Sequence, residues 1–204
     1  MVISQLSTEK QILEAAKKVF VHKGMAAARM EEIAREAGIN KALLHYYFRS
    51  KENLFRAVFA EAFNSFIPHI AEYISQEKPT IEKFVDVFVE NYINLILENP
   101  FIPNFVISEI NRDPENLINF FQEYVGDKPL VFSSIFQEAV KKGEMRSIDP
   151  REFLMNMIGL CIFPFIARPI LQKIFFSDNG ELYDQFLNRR KTTIKEFILH
   201  SIKP

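Results

Sequence analysis

Residues 30–55 read MEEIAREAGINKALLHYYFRSKENLF, and their spacing decides the fold. Met30, Ile33, Ala34 and Ala37 fall on one face at helical spacing. Gly38 ends that helix, because glycine takes the left-handed conformation after a helix without a steric penalty. Ile39 fills the inside of the turn. Asn40 is placed to cap a second short helix, and Leu44, Tyr47 and Phe48 give that helix its buried face. Two short helices joined by a tight glycine turn form a helix-turn-helix, whose second helix enters the DNA major groove.

The surrounding sequence completes a helical head. Thr8 and Gln11 make a capping-box start, followed by Ile12, Ala16, Val19 and Phe20 on one face and a stop at Lys23-Gly24. This first helix is the scaffold for helices expected over 30–37 and 41–47. Ser50 is the cap of a fourth helix, whose stripe runs through Leu54, Phe55, Val58, Phe59, Ala62 and Phe66, with Pro68 expected to kink or end it. Lys78-Pro79-Thr80 opens a fifth helix carrying Phe84, Val87, Phe88, Asn91, Tyr92 and Leu95 on one side. Short helices follow near 103–111, from Asp113-Pro114 to 125, and on to 142, where Gly143 ends the run. Asp149-Pro150-Arg151-Glu152 starts a helix expected to reach 174 with bends at Pro164 and Pro169. After the turn Asp178-Asn179-Gly180, a last helix spans about 182–202. The fold class is therefore all-α. A DNA-binding unit occupies 1–50, and a body of 51–204 is joined to it through the fourth helix.

IAREAGINKALLHYYFRSKENLF resembles the N-terminal signature of the TetR family of bacterial one-component transcriptional regulators. The Ile-Ala, Ala-Gly, Lys, Leu, Tyr-Phe and Ser-Lys-Glu elements all sit at the family's spacing, and the likeness runs from Thr8 to about Phe59. The resemblance implies a basic head that binds a palindromic double-stranded operator, a body that takes a small effector, and a homodimer. Lys41 corresponds to the family's Lys, which contacts phosphate or a base edge. Lys51 corresponds to its phosphate-contacting Lys at a helix N-terminus. Three positions depart from the pattern. Ala28-Arg29 replace a capping Thr or Ser, so Arg29 would substitute charge for a hydroxyl contact. His45 stands where Tyr is usual, and Ala42 where Gly is common.

The residues themselves support the same face. Ala42 and Leu43, early in the second helix of the motif, offer apolar contact to a thymine methyl. His45 and Tyr46 lie opposite Leu44 and Phe48, and the Tyr46 hydroxyl can donate to a phosphate. Arg29 and Met30, at the start of the helix before, complete the candidate DNA-contacting set. Charge is distributed accordingly. The whole chain has a net charge of −1, but residues 1–56 carry ten Lys/Arg against six Asp/Glu, and the remainder fifteen against twenty. A basic head on an acidic body suits phosphate contact by the head.

The body is rich in Phe, with 21 in the chain and no Trp. Such a composition needs a very apolar core or an apolar cavity. Phe84, Phe88, Phe105, Phe121, Tyr124, Phe136, Met157 and Cys161 are candidate walls of an effector site, and Asn91 and Tyr92 are its candidate polar contacts. An apolar or aromatic effector follows if the site exists. The alternative for each residue is plain core, and for the body, recognition of a protein partner. A binding protein or enzyme for apolar molecules, without operator binding, is disfavoured by the presence of Lys41, Tyr46 and Lys51. The segment FLMNMIGLCIFPFIARPIL, with Phe186, Ile194, Phe197, Ile198 and Leu199, resembles the family's dimerisation helices and is apolar on nearly all sides.

Catalytic and metal chemistry find no support. His22, His45, His69 and His200 are scattered, and the single Cys161 sits in an apolar run. No phosphate-binding glycine loop is present, and no cofactor is expected. The chain shows no secretory signal, and its longest apolar run, 157–167, is too short to span a bilayer. A cytoplasmic protein without membrane association is expected.

Overall fold

The computed structural model describes residues 7–76, 79–112, 114–125 and 128–204; the side chains at 65, 116, 120–121, 123–125 and 128–132 lie outside the description. Among the described residues there are eleven helices and no strand. Helices α1 (Thr8–Ala27), α2 (Met30–Glu36) and α3 (Lys41–Phe48) form the head. The side chain of Ser7 caps α1 by accepting from the Lys10 amide, so the cap lies one residue before the expected Thr8. Gly24, at φ 70° and ψ 167°, leaves the helical path where the sequence placed the stop, and a further turn follows to Ala27. Ile12, Ala16 and Phe20 of α1, Ile33 and Ala34 of α2, and Leu44 and Phe48 of α3 close the head's core. Tyr47 corrects the sequence reading. It is 40% exposed, because α3 is short enough to bury only the Leu44–Phe48 ridge.

Helix α4 (Lys51–Ile74) carries the chain out of the head. Ser50 caps it by accepting from the Asn53 amide. Pro68 does not end the helix, which continues to Ile74. Its ring lies on the exposed side, where water can serve the carbonyl that loses its amide partner. Helix α5 (Ile81–Glu98) returns antiparallel along α4. A two-way bond fixes the junction: the Tyr73 hydroxyl donates to the Thr80 carbonyl at 2.9 Å and accepts from the Thr80 amide at 2.7 Å. The Thr80 side chain in turn caps α5. The expected contributions of Lys78 and Asp113 lie outside the described residues.

Helices α6 (Ile102–Arg112), α7 (Pro114–Val125) and α8 (Lys128–Lys141) follow. The apolar run beyond them forms two helices, α9 (Pro150–Ile166) and α10 (Arg168–Phe176), bent by 74°. The sequence reading placed bends at Pro164 and Pro169 within one helix. Pro164 instead stays inside α9, and the break falls at Ala167, so that Pro169 sits in the first turn of α10, where its missing amide costs nothing. Helix α11 (Gly180–Ser201) is capped by Asn179 and packs on α5, α9 and α10. The Tyr183 hydroxyl donates to the Pro164 carbonyl at 2.7 Å, tying α11 to the end of α9. No single helix among the described residues is long and apolar enough to cross a membrane.

Head and body share one buried cluster. Phe55, in the second turn of α4, lies 4.7 Å from Phe20 of the head and 4.2 Å from Phe105 of α6, ring centre to ring centre. The connection between the two units is therefore packed aromatic carbon, and α4 cannot tilt without disturbing both sides.

Candidate nucleic-acid interface and the apolar body

Local chemistry fixes the presentation of α3. Gly38, at φ 67°, lets the chain reverse after α2, and the Asn40 side chain accepts from the Leu43 amide at 2.8 Å. With Leu44 and Phe48 anchored inward, Lys41, Ala42, Leu43, His45 and Tyr46 all face solvent. Tyr46 is 79% exposed, an unusual position for a ring unless a partner covers it. Arg29 is exposed at the start of α2 and Met30 is half-buried beside it. Arg29 makes no side-chain cap of α2, as expected from the loss of a hydroxyl there.

Three of the nominated side chains already have polar partners. The Lys41 ammonium lies 2.6 Å from a carboxylate oxygen of Glu31. The Lys51 ammonium, half-buried, donates to the carbonyls of Ala26 and Ala28, each at 3.2 Å. Lys51 thus binds the loop between α1 and α2 to the start of α4. His45 Nδ1 is 3.0 Å from the Arg49 carbonyl. That contact orients the ring, with Nδ1 donating and Nε2 directed away from the helix end.

The described residues nominated for a ligand, Asn91 aside, are packed in or against the buried core. Phe88 stacks on Tyr92 at 5.4 Å, and Phe66 of α4 meets both edge-on, at 5.6 and 5.7 Å. Phe84 extends this group, 6.0 Å from Phe88. Burial drives the Tyr92 hydroxyl far above the usual range, with the neighbouring Cys161 second, and burial pushes the Cys161 thiol up to about 12. Tyr92 and Cys161 are thus neutral groups in an apolar setting. Met157 is fully buried in the same core. Phe105 packs at a tilt on Phe55 and Phe59 near the junction with the head, and Phe63 links Phe59 to Phe66. Phe136 pairs with Phe153 of α9 at 4.8 Å. The Asn91 amide donates to the Val87 carbonyl of its own helix at 2.7 Å, which commits its nitrogen. The side chains of Phe121 and Tyr124 lie outside the described residues.

Sequence reasoning missed Phe63 and the part Phe66 plays in this ring group. It also missed Glu31. The stripe along α4 carried the signal for the Phe residues, and the opposite charges ten residues apart across the turn carried it for Glu31.

Helices α9, α10 and α11 also expose apolar side chains. Met155 and Phe163 of α9, Ile170, Ile174 and Phe175 of α10, and Phe197 of α11 are each more than half exposed.

A three-helix head that presents a short capped helix with basic and aromatic side chains outward, on an all-helical body, is a helix-turn-helix DNA-binding protein. Residues 12–58 match the family described as bacterial regulatory proteins, tetR family. The probable HTH-type transcriptional regulator YttP of Bacillus subtilis (strain 168) is 23% identical over 182 residues, 88% of this chain and 87% of that protein. HlyIIR, a hemolysin II transcriptional regulator, superposes with a TM-score of 0.65 at 22% identity, covering 97% of each chain. The transcriptional regulator FadR from Bacillus subtilis, solved in complex with stearoyl-CoA, superposes with a TM-score of 0.69 at 18% identity, covering 95% of this chain and 98% of that one. Residues 12–58 carry the N-terminal domain of that family, and the chain is a DNA-binding transcriptional regulator similar to these proteins.

Proposed function

We propose that the protein is a homodimeric, cytoplasmic repressor whose head, residues 1–50, holds a palindromic operator until an apolar small molecule enters the body, residues 51–204. The observation that carries the reading is the pairing of an outward-facing α3 with the ring group of Phe66, Phe88 and Tyr92, which lies on α4 and α5. Arg29, Met30, Lys41, Ala42, Leu43, His45 and Tyr46 form the DNA face. Lys51 contributes through the loop it holds, with its remaining donor free for a phosphate. The structurally similar FadR was solved with stearoyl-CoA. That likeness and the Phe-rich body favour a long-chain acyl group as the apolar part of the effector. The exposed apolar side chains of α9, α10 and α11 support a twofold dimer. A soluble monomer rarely leaves that much apolar surface bare, and two recognition helices must reach successive major grooves.

Displacing the rings that pack α4 against α5 would tilt α4. Phe55 would carry that motion into the head, changing the separation of the two recognition helices so that both half-sites are no longer reached together. The test is fluorescence anisotropy on duplexes selected from a random pool, at near-physiological salt with competitor DNA, followed by titration with oleoyl-CoA and stearoyl-CoA. Sequence-selective binding released by micromolar acyl-CoA supports the reading. Selective binding unaffected by acyl-CoA or free fatty acids overturns the effector class. Binding that ignores sequence overturns the operator reading.

A further inference from the structure

Among the described residues the head carries three ion pairs between its helices, and one differs in kind. Lys18 with Glu36, at 3.1 Å, and Lys23 with Glu32, at 2.8 Å, join α1 to α2. The third, at 2.6 Å, joins Glu31 of α2 to Lys41, the first residue of α3. Its ammonium belongs to the first turn of the helix proposed above to enter the major groove.

We propose that Glu31 is an affinity-setting residue that competes with DNA for Lys41, holding its ammonium until an acceptor on the operator takes its place. The inference rests on the assignment of α3 to the major groove.

The fold does not need this pair. Asn40 caps α3 at 2.8 Å, Gly38 makes the turn, and Leu44 and Phe48 anchor the helix. Both members are well exposed, Lys41 at 53% and Glu31 at 66% of the side chain, so water already screens the bond. An exposed pair is exchanged at small cost for a phosphate or a base-edge acceptor. The carboxylate left behind then sits close to the DNA backbone, among like charges. The Lys41 ammonium holds the Glu31 carboxyl below its usual range, first by hydrogen bond and then by charge, and Arg29 adds to this, so Glu31 stays ionised at neutral pH. Glu31 therefore opposes binding wherever Lys41 finds no well-placed acceptor, as on unrelated sequence. It opposes binding less where the operator supplies one.

The prediction has three parts. Glu31→Gln tightens binding to any duplex by about two- to fivefold, the range set by an exposed pair. The gain is larger on unrelated DNA than on the operator, so selectivity falls. The slope of log affinity against log salt steepens by about one unit, as for one more phosphate neutralised.

The experiment is a double-mutant cycle of wild type, Glu31→Gln, Lys41→Ala and the double variant, by anisotropy on a selected operator duplex and a scrambled duplex across a salt series. Glu36→Gln, which breaks a pair away from α3, is the control. A gain from Glu31→Gln that vanishes in the Lys41→Ala background supports the proposal. An equal gain in both backgrounds shows that Glu31 acts by bulk charge alone. A loss of affinity shows that Glu31 positions Lys41 for its contact. Either result overturns the proposal. If wild type does not distinguish the two duplexes, the operator reading fails, while the cycle on scrambled duplex still reads the competition.

Discussion

In α3 the side chains proposed to meet DNA point outward, with Tyr46 79% exposed and Lys41 in contact with one surface carboxylate, while Leu44 of the same helix is wholly buried. In α5 the side chains proposed to meet a ligand point inward: Phe84 is 2% exposed and Phe88 6%. The two helices follow the same packing rule and present function on opposite sides of it. An exposed ring or cation in the head has no structural duty that demands it, so its presence argues for a partner. A buried ring in the body is already accounted for by the core, so its presence argues for nothing further without a neighbour that the core does not explain. The Tyr92 hydroxyl, beside the neutral Cys161 thiol, is such a neighbour.

The contrast is broken most severely where the two regions meet. Phe55 touches Phe20 of the head, Phe101 in the turn before α6 and Phe105 of α6, and none of its surface is exposed. Phe55→Ala is expected to cost about 3–5 kcal/mol. Because the ring belongs to both cores, head and body should lose stability together, as one cooperative transition in differential scanning calorimetry. A head that melts separately, with the body's transition unmoved, would show that the two regions are energetically independent. It would also remove the route by which a ligand reaches the DNA face.

The sequence was legible in proportion to how local its determinants are. The α2–turn–α3 unit was readable because Gly38, Asn40 and the Leu44–Phe48 ridge each act within a few residues. Asp149, Thr80 and Ser50 were readable as helix starts for the same reason, while Asn179 was read only as part of a turn and is in fact the cap of α11. Tyr47 was misplaced because burial at the edge of a short helix depends on what packs above it. The course of the helix past Pro68 depends on whether water reaches one carbonyl, and the break at Ala167 depends on α11 packing across it. Glu31 escaped notice because the partner that gives it meaning stands on the next helix, across the turn. The packing of Phe105 on Phe55 was not legible, since a helical stripe does not say which neighbour each ring will find.

A milder substitution sharpens the comparison. Tyr46→Ala removes an exposed ring that meets Tyr47 edge-on at 5.5 Å. Its effect on thermal stability should stay within about 0.5 kcal/mol, the usual range for surface positions. DNA affinity should nonetheless fall by about three- to tenfold, through loss of a phosphate contact and its packing. Tyr46→Phe separates the two contributions, because it keeps the ring and removes only the donor. Unchanged affinity in Tyr46→Ala would place the ring outside the interface and weaken the argument from exposure.

The smallest effect belongs to the body, at a site where exposure carries no functional meaning. Asp149 caps α9 by accepting from the Arg151 amide at 2.8 Å, and its carboxylate also meets the Arg151 guanidinium at 2.6 Å. The Arg151 side chain, and then its backbone amide, lower the Asp149 carboxyl from 3.8 to about 2. A depressed acid stabilises the fold when ionised. Its contribution is therefore complete above pH 3.8 and lost as pH falls toward 2. Asp149→Asn keeps a side-chain oxygen for the cap and gives up only the charge, on a surface where ion pairs contribute little. Urea midpoints of wild type and variant should differ slightly at pH 7 and converge by pH 2. A gap that persists at pH 2 would mean that the side chain acts through geometry and not through its charge. The cap would then belong with the head's turn chemistry, which is indifferent to pH.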